Sequence, residues 1–115
     1  MSILIKNGRI ITSSSDFIGD VYIQGEKIVA IGQNLPHKAE QVIDAKNKLV
    51  LPGGIDPHVH LDMPFMGTYS SDNYETGTRA ALFGGTTMVI DFILQTQGKS
   101  LQHALDQWKG RSDGN

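Results

Sequence analysis

The apolar positions of the first fifty residues fall in short runs rich in Ile and Val, separated by turn-forming residues. Ile3-Leu4-Ile5 and Ile10-Ile11 flank Asn7-Gly8, a pair that tolerates positive φ and favours a tight hairpin. A Ser-rich loop from Ser13 to Asp16 follows. Val21-Tyr22-Ile23 and Ile28-Val29-Ala30-Ile31 then flank Gly25 and predict a second hairpin. Val42-Ile43 and Leu49-Val50-Leu51, on either side of Asn47, predict a third. Residues 1–51 are therefore expected to form a small β-rich domain.

After Pro52-Gly53-Gly54 the pattern changes. Ile55 to Leu61 reads as a strand. Asp72-Asn73-Tyr74-Glu75 has the spacing of a capping box, with Asp72 as N-cap, and predicts a helix to about Phe83 that stops at Gly84-Gly85. Thr86 to Phe92 is β-branched and nearly continuously apolar, as expected of a strand covered on both faces in a parallel sheet. Ser100 can cap a second helix in which Leu101, Leu105 and Trp108 share a face, and the polar tail runs from Lys109 to Asn115. The order β-α-β-α argues for parallel crossover units, with residues 52–115 as a second domain.

A hydrophobic fraction of 39% and a charged fraction of 19% suit a globular chain and exclude disorder. Net charge is −2 and the 10 Lys and Arg residues are scattered, which argues against nucleic acid as a partner. The chain has no cysteine, so any metal must be held by nitrogen and oxygen. The apolar start is broken by Lys6, Asn7 and Arg9, too short for a secretory core or a membrane span, and a cytoplasmic protein with no membrane partner is expected.

The chemistry concentrates in Asp56-Pro57-His58-Val59-His60. Alternate strand residues share a face, so His58 and His60 point to one side, with Asp56 and Asp62 in phase. Two neutral imidazoles suit zinc and similar divalent ions, which bring the pKa of a bound water toward ~7 and so generate hydroxide able to attack an amide. Pro57 removes a backbone donor and predicts an irregular strand just before the histidines. The pair lies at the strand's C-terminal end, where parallel α/β folds build their sites.

The stretch Leu51-Pro52-Gly53-Gly54-Ile55-Asp56-Pro57-His58-Val59-His60-Leu61-Asp62-Met63-Pro64-Phe65, with Glu75-Thr76-Gly77-Thr78-Arg79-Ala80-Ala81, Phe83-Gly84-Gly85-Thr86-Thr87 and the opening Leu4-Ile5-Lys6-Asn7-Gly8-Arg9-Ile10, resembles the N-terminal part of the dihydropyrimidinase/hydantoinase family. Dihydroorotases usually carry Arg two positions after the second His, and Asp62 stands there. The non-catalytic collapsin-response homologues lack the paired histidines that are present here. Two competing expectations are such a silent interaction protein and another cyclic amidohydrolase, for instance an allantoinase.

The resemblance implies a mixed α/β fold: an N-terminal β-sheet, part of a small β-sandwich, followed by the first two βα units of a (β/α)8 barrel. A barrel takes roughly 200 residues or more, so the chain is expected to be incomplete. The resemblance also implies a binuclear centre of zinc or a similar divalent metal, two ions per active site, opening dihydropyrimidines or hydantoins to N-carbamoyl amino acids. His58 and His60 match the pair on the more buried ion. The bridging carboxylated Lys, two further His and the proton-shuttle Asp are expected beyond Asn115. Met63 and Phe65 are candidate substrate-pocket residues, Asp56 and Asp91 candidates for supporting the metal ligands, and the full-length assembly a homotetramer. The 115 residues alone are expected to bind zinc weakly and to be inactive.

Gly98-Lys99-Ser100 falls short of a phosphate-binding loop, because Ile93 occupies the position that needs Gly. His37 and His103 are expected at the surface.

Overall fold

Strand β1 (Ser2–Ile11) is the centre of the first half of the chain. It pairs antiparallel with β2 (Asp16–Gln24), which in turn pairs with β3 (Lys27–Gly32). On its other side β1 pairs parallel with β4 (Gln41–Asp44) and then with β5 (Leu49–Val50), completing a five-stranded sheet. The computed structural model describes residues 1–113, and its contacts divide the chain into two units, Met1–Pro52 and a second beginning at Gly53.

Asn7-Gly8 does not make the expected hairpin. Asn7 has the positive φ, 62°, but within a β-bulge: the register passes from Ile5 opposite Val21 to Gly8 opposite Gly19, and β1 carries on to Ile11. Asp20, only 3% exposed, secures the bulge, its Oδ1 accepting from the Asn7 N–H at 2.9 Å and its Oδ2 from the Leu35 N–H at 3.0 Å. Gly8 is needed because β5 comes close: a Cβ there would sit 2.4 Å from Val50 Cγ2.

The second hairpin forms as expected, with Gly25 at φ 62° and Gln24 opposite Lys27. The third does not. β4 and β5 both pair with β1, which reaches the intervening turn through Ala45 N–H to Lys6 O at 2.8 Å and Arg9 N–H to Lys48 O at 3.0 Å. Leu4, Ile10, Val21, Tyr22 and Ala45 are the buried apolar residues of this unit. His37 is half-buried rather than solvated, its ring stacked on Tyr22 at 4.3 Å.

The second unit begins with β6 (Gly54–Val59), followed by a short hairpin of β7 (Pro64–Phe65) and β8 (Thr68–Tyr69). Helix α1 (Tyr74–Phe83) leads to β9 (Thr86–Asp91), which pairs parallel with β6, and α2 (Leu101–Ser112) follows. The capping box is one residue later than expected: Asn73 accepts from Thr76 N–H at 2.9 Å, and the Thr76 hydroxyl accepts from Asn73 N–H at 3.2 Å. Asp72 and Asn73 can both cap; the extended backbone at Asn73 (φ −88°, ψ −177°) decides between them. The helix ends at Gly84 as expected.

Ser100 caps α2, accepting from His103 N–H at 3.1 Å. Of the expected stripe Trp108 is buried, Leu105 half-buried and Leu101 72% exposed, and Ala104 is buried beside them. β9 pairs with β6, and Met88 and Ile90 are about half exposed among the described residues. Among the described residues the fold is mixed α/β, mostly strands with two helices.

Candidate functional site

Strand β6 becomes irregular where Pro57 removes a ladder donor: its register with β9 shifts between Asp56 and Val59, and His60 lies just past its end. Asp56 Oδ1 accepts from the His58 N–H at 3.1 Å within this kink. The two imidazoles nevertheless converge, with ring centroids 4.8 Å apart and Nε2 to Nε2 at 3.2 Å. Both residues are exposed.

The next strand supplies the support. Phe92, directly after β9, stacks on His58 at 4.2 Å with 16° between the planes and meets His60 edge-on at 5.9 Å. Asp91 Oδ1 accepts from Phe92 N–H at 2.8 Å and from Leu61 N–H at 3.4 Å, while Phe92 N–H also reaches Val59 O at 3.2 Å. One carboxylate thus ties the chain leaving β6 to the end of β9. Its Oδ2 accepts from the Tyr74 hydroxyl. Burial, then the bond to Asp91 and the charges of Asp91 and Asp62, hold the Tyr74 hydroxyl well above its ordinary pKa, so it remains a proton donor.

Leu61 is buried, and α1 approaches it so closely that a Cβ on Gly77 would lie 2.4 Å from Leu61 Cδ2. The chain then leaves through Asp62 (φ 47°) into a loop closed by Asp62 N–H to Asp72 O at 2.8 Å. Met63 and Ser70 bond across its stem, Met63 N–H to Ser70 Oγ and Ser70 N–H to Met63 O, both at 2.9 Å. Met66 and Gly67, both with positive φ, turn the tip. Met63 is half-buried in this loop and Phe65 is 54% exposed. Asp62 faces Arg111 at 3.7 Å, so the strict alternation expected from Asp56 to Asp62 breaks at the end of β6.

His58 and His60 are thus brought together, Asp91 lies beside their backbone support, and Asp56 holds the kink. Phe92, Tyr74 and Arg111 had not been singled out from the sequence. Phe92 follows Asp91, and an aromatic next to a polar residue at a strand's C-terminal end is the one signal that could have flagged it. Among the described residues no group of three or more His, Asp or Glu side chains could hold a metal ion together, so the histidines are a pair of donors only.

The amidohydrolase family matches residues 41–93. The D-hydantoinase of Geobacillus stearothermophilus is 50% identical over 114 residues, a match covering 99% of this chain and 24% of that protein. The crystal structure of dihydropyrimidinase from Brevibacillus agri superposes with a TM-score of 0.93 at 52% identity, over 96% of this chain and 24% of the other. A D-hydantoinase from Thermus gives a TM-score of 0.91 at 46% identity, covering 98% and 25%. The chain spans about a quarter of the length of these relatives.

Proposed function

We propose that this chain, which carries the sequence and fold of the N-terminal segment of the dihydropyrimidinase/hydantoinase family along nearly its whole length, contributes half of a metal site to a cyclic-amide hydrolase. The reaction is the opening of a ring amide, in a 5,6-dihydropyrimidine or a hydantoin, to an N-carbamoyl amino acid.

The observation that carries this reading is the 3.2 Å between His58 Nε2 and His60 Nε2. Two nitrogens at about 2.05 Å from one tetrahedral ion stand roughly 3.3 Å apart, so the pair fits a single zinc-type ion. Such an ion, when bound, lowers the pKa of water and polarises an amide carbonyl. The remaining roles belong to this chain. His58 and His60 present two converging ring nitrogens, and Phe92 covers one face of His58 and limits its rotation. Asp91 ties the backbone just after the pair, at Leu61, to the end of β9 at Phe92, and Tyr74 keeps its proton on the hydroxyl and gives Asp91 a donor. Met63 and Phe65, in the loop that begins two residues after His60, are the proposed pocket residues.

In this reading β6, α1, β9 and α2 are the first two βα units of a (β/α)8 barrel, residues 1–51 belong to a small β-sandwich, and residues from 52 onward to the barrel. A second metal ion, the bridging Lys and the proton-shuttle Asp come from a longer protein, a cytoplasmic homotetramer.

The test is ring opening by the intact protein. His58→Ala or His60→Ala should lower turnover of dihydrouracil or hydantoin by about 10³-fold or more, since several kcal/mol of charge stabilisation is lost at ~1.4 kcal/mol per tenfold. Turnover within tenfold of the parent would sink the assignment.

A further inference from the structure

Phe92 stands directly after β9 and is 48% exposed, so its ring adds less to the apolar core than a buried one would. The rings it meets are the two imidazoles. Its face lies parallel to His58, with 4.2 Å between centroids and 16° between planes, and His60 crosses it at 64° and 5.9 Å. One phenyl ring therefore limits the movement of both candidate ligands. The Phe92 backbone is held separately, its N–H donating to Asp91 Oδ1 and to Val59 O, so the side chain can be changed without removing those bonds.

We propose that Phe92 is a positioning residue that strengthens the grip of His58 and His60 on a divalent cation, through the electron-rich face of its ring as well as its bulk. The proposal rests on the hydrolase reading above and adds a residue that holds no ion itself. A bare imidazole stacked on a phenyl ring makes an ordinary aromatic contact. The same imidazole with a divalent cation on Nε2 takes up part of the positive charge, and the phenyl face opposite attracts it. Phe92 thus favours the cation-bound pair over the bare one. The two Nε2 atoms already stand 3.2 Å apart, so this preference acts on a pair that needs little rearrangement. An aliphatic side chain of similar size would still crowd His58, but it has no π face to offer.

The experiment loads the intact protein and its Phe92→Leu, Phe92→Tyr and His58→Ala variants with zinc, then follows transfer of the zinc to an excess of a chromogenic chelator. Phe92→Leu should release zinc about fivefold faster than the parent, and Phe92→Tyr, which keeps the π face, within about twofold of it. The metal-free parent and Phe92→Leu should unfold at the same urea concentration, because a half-exposed ring contributes little to the core. Release from Phe92→Leu less than twofold faster than from the parent, a Tyr variant as fast as the Leu variant, or a loss of metal-free stability large enough to account for the faster release would overturn the proposal. His58→Ala separates this failure from that of the hydrolase reading. Zinc that leaves the parent and His58→Ala at one rate is not held by the pair and refutes both. Rapid loss from His58→Ala beside parent-like release from Phe92→Leu refutes the role of Phe92 alone.

Discussion

Asp20 in the first unit and Asp91 in the second each accept two backbone N–H groups, Asp20 from Asn7 and Leu35, Asp91 from Leu61 and Phe92. The device is shared and the surroundings differ. Asp20 is buried in a sheet where it holds a bulge and the loop after β3, with no reactive group nearby in its hydrogen bonding. Asp91 is half-buried at the end of a parallel strand, and the backbone it holds carries exposed histidines and the phenyl ring stacked on one of them. A carboxylate that collects backbone donors is thus a structural element in one unit and the footing of a candidate site in the other. What separates them is the exposed chemistry each one steadies.

Between the two units, the largest expected difference comes from removing each carboxylate in turn in the intact protein. Asp91→Ala should lower ring-opening activity about 10- to 100-fold, the range for losing a group that orients a metal ligand. Asp20→Ala should leave activity per folded molecule unchanged but cost about 2–3 kcal/mol in denaturant unfolding, because buried donors lose their acceptor. If Asp20→Ala proved the more damaging to activity, the contrast between the two units would fail.

A smaller effect sharpens the contrast through pH. The Tyr74 hydroxyl sits above its ordinary pKa of about 10 in the folded chain, so the unfolded chain ionises first and stability should fall as pH rises past that value. Tyr74→Phe should flatten the alkaline decline. Urea titrations between pH 8 and 11 would measure it, and equal slopes for parent and variant would show that folding does not hold the Tyr74 hydroxyl above its ordinary value.

Much of the secondary structure was legible from local pattern: the hairpin at Gly25, the end of α1 at Gly84, the cap at Ser100 and the kink at Pro57. The errors share a cause. Asn7-Gly8 satisfies a hairpin turn and a bulge equally well, because both need positive φ, and the choice lay with Asp20, 13 positions away. β4 and β5 looked like hairpin partners, yet β1 offered each a parallel ladder about 40 positions away in sequence. At the candidate site the histidine spacing was readable within one strand. Phe92, Tyr74 and Arg111 were not, since their partners are brought close only by folding.

The central claim is that His58 and His60 together grip one ion. The most direct test is a crystal structure of the intact protein loaded with zinc, with anomalous scattering recorded at the zinc edge. The expected result is one anomalous peak at about 2.0–2.1 Å from both Nε2 atoms. A peak bonded to only one of them, or zinc bound elsewhere while the two rings stay bare, would contradict it.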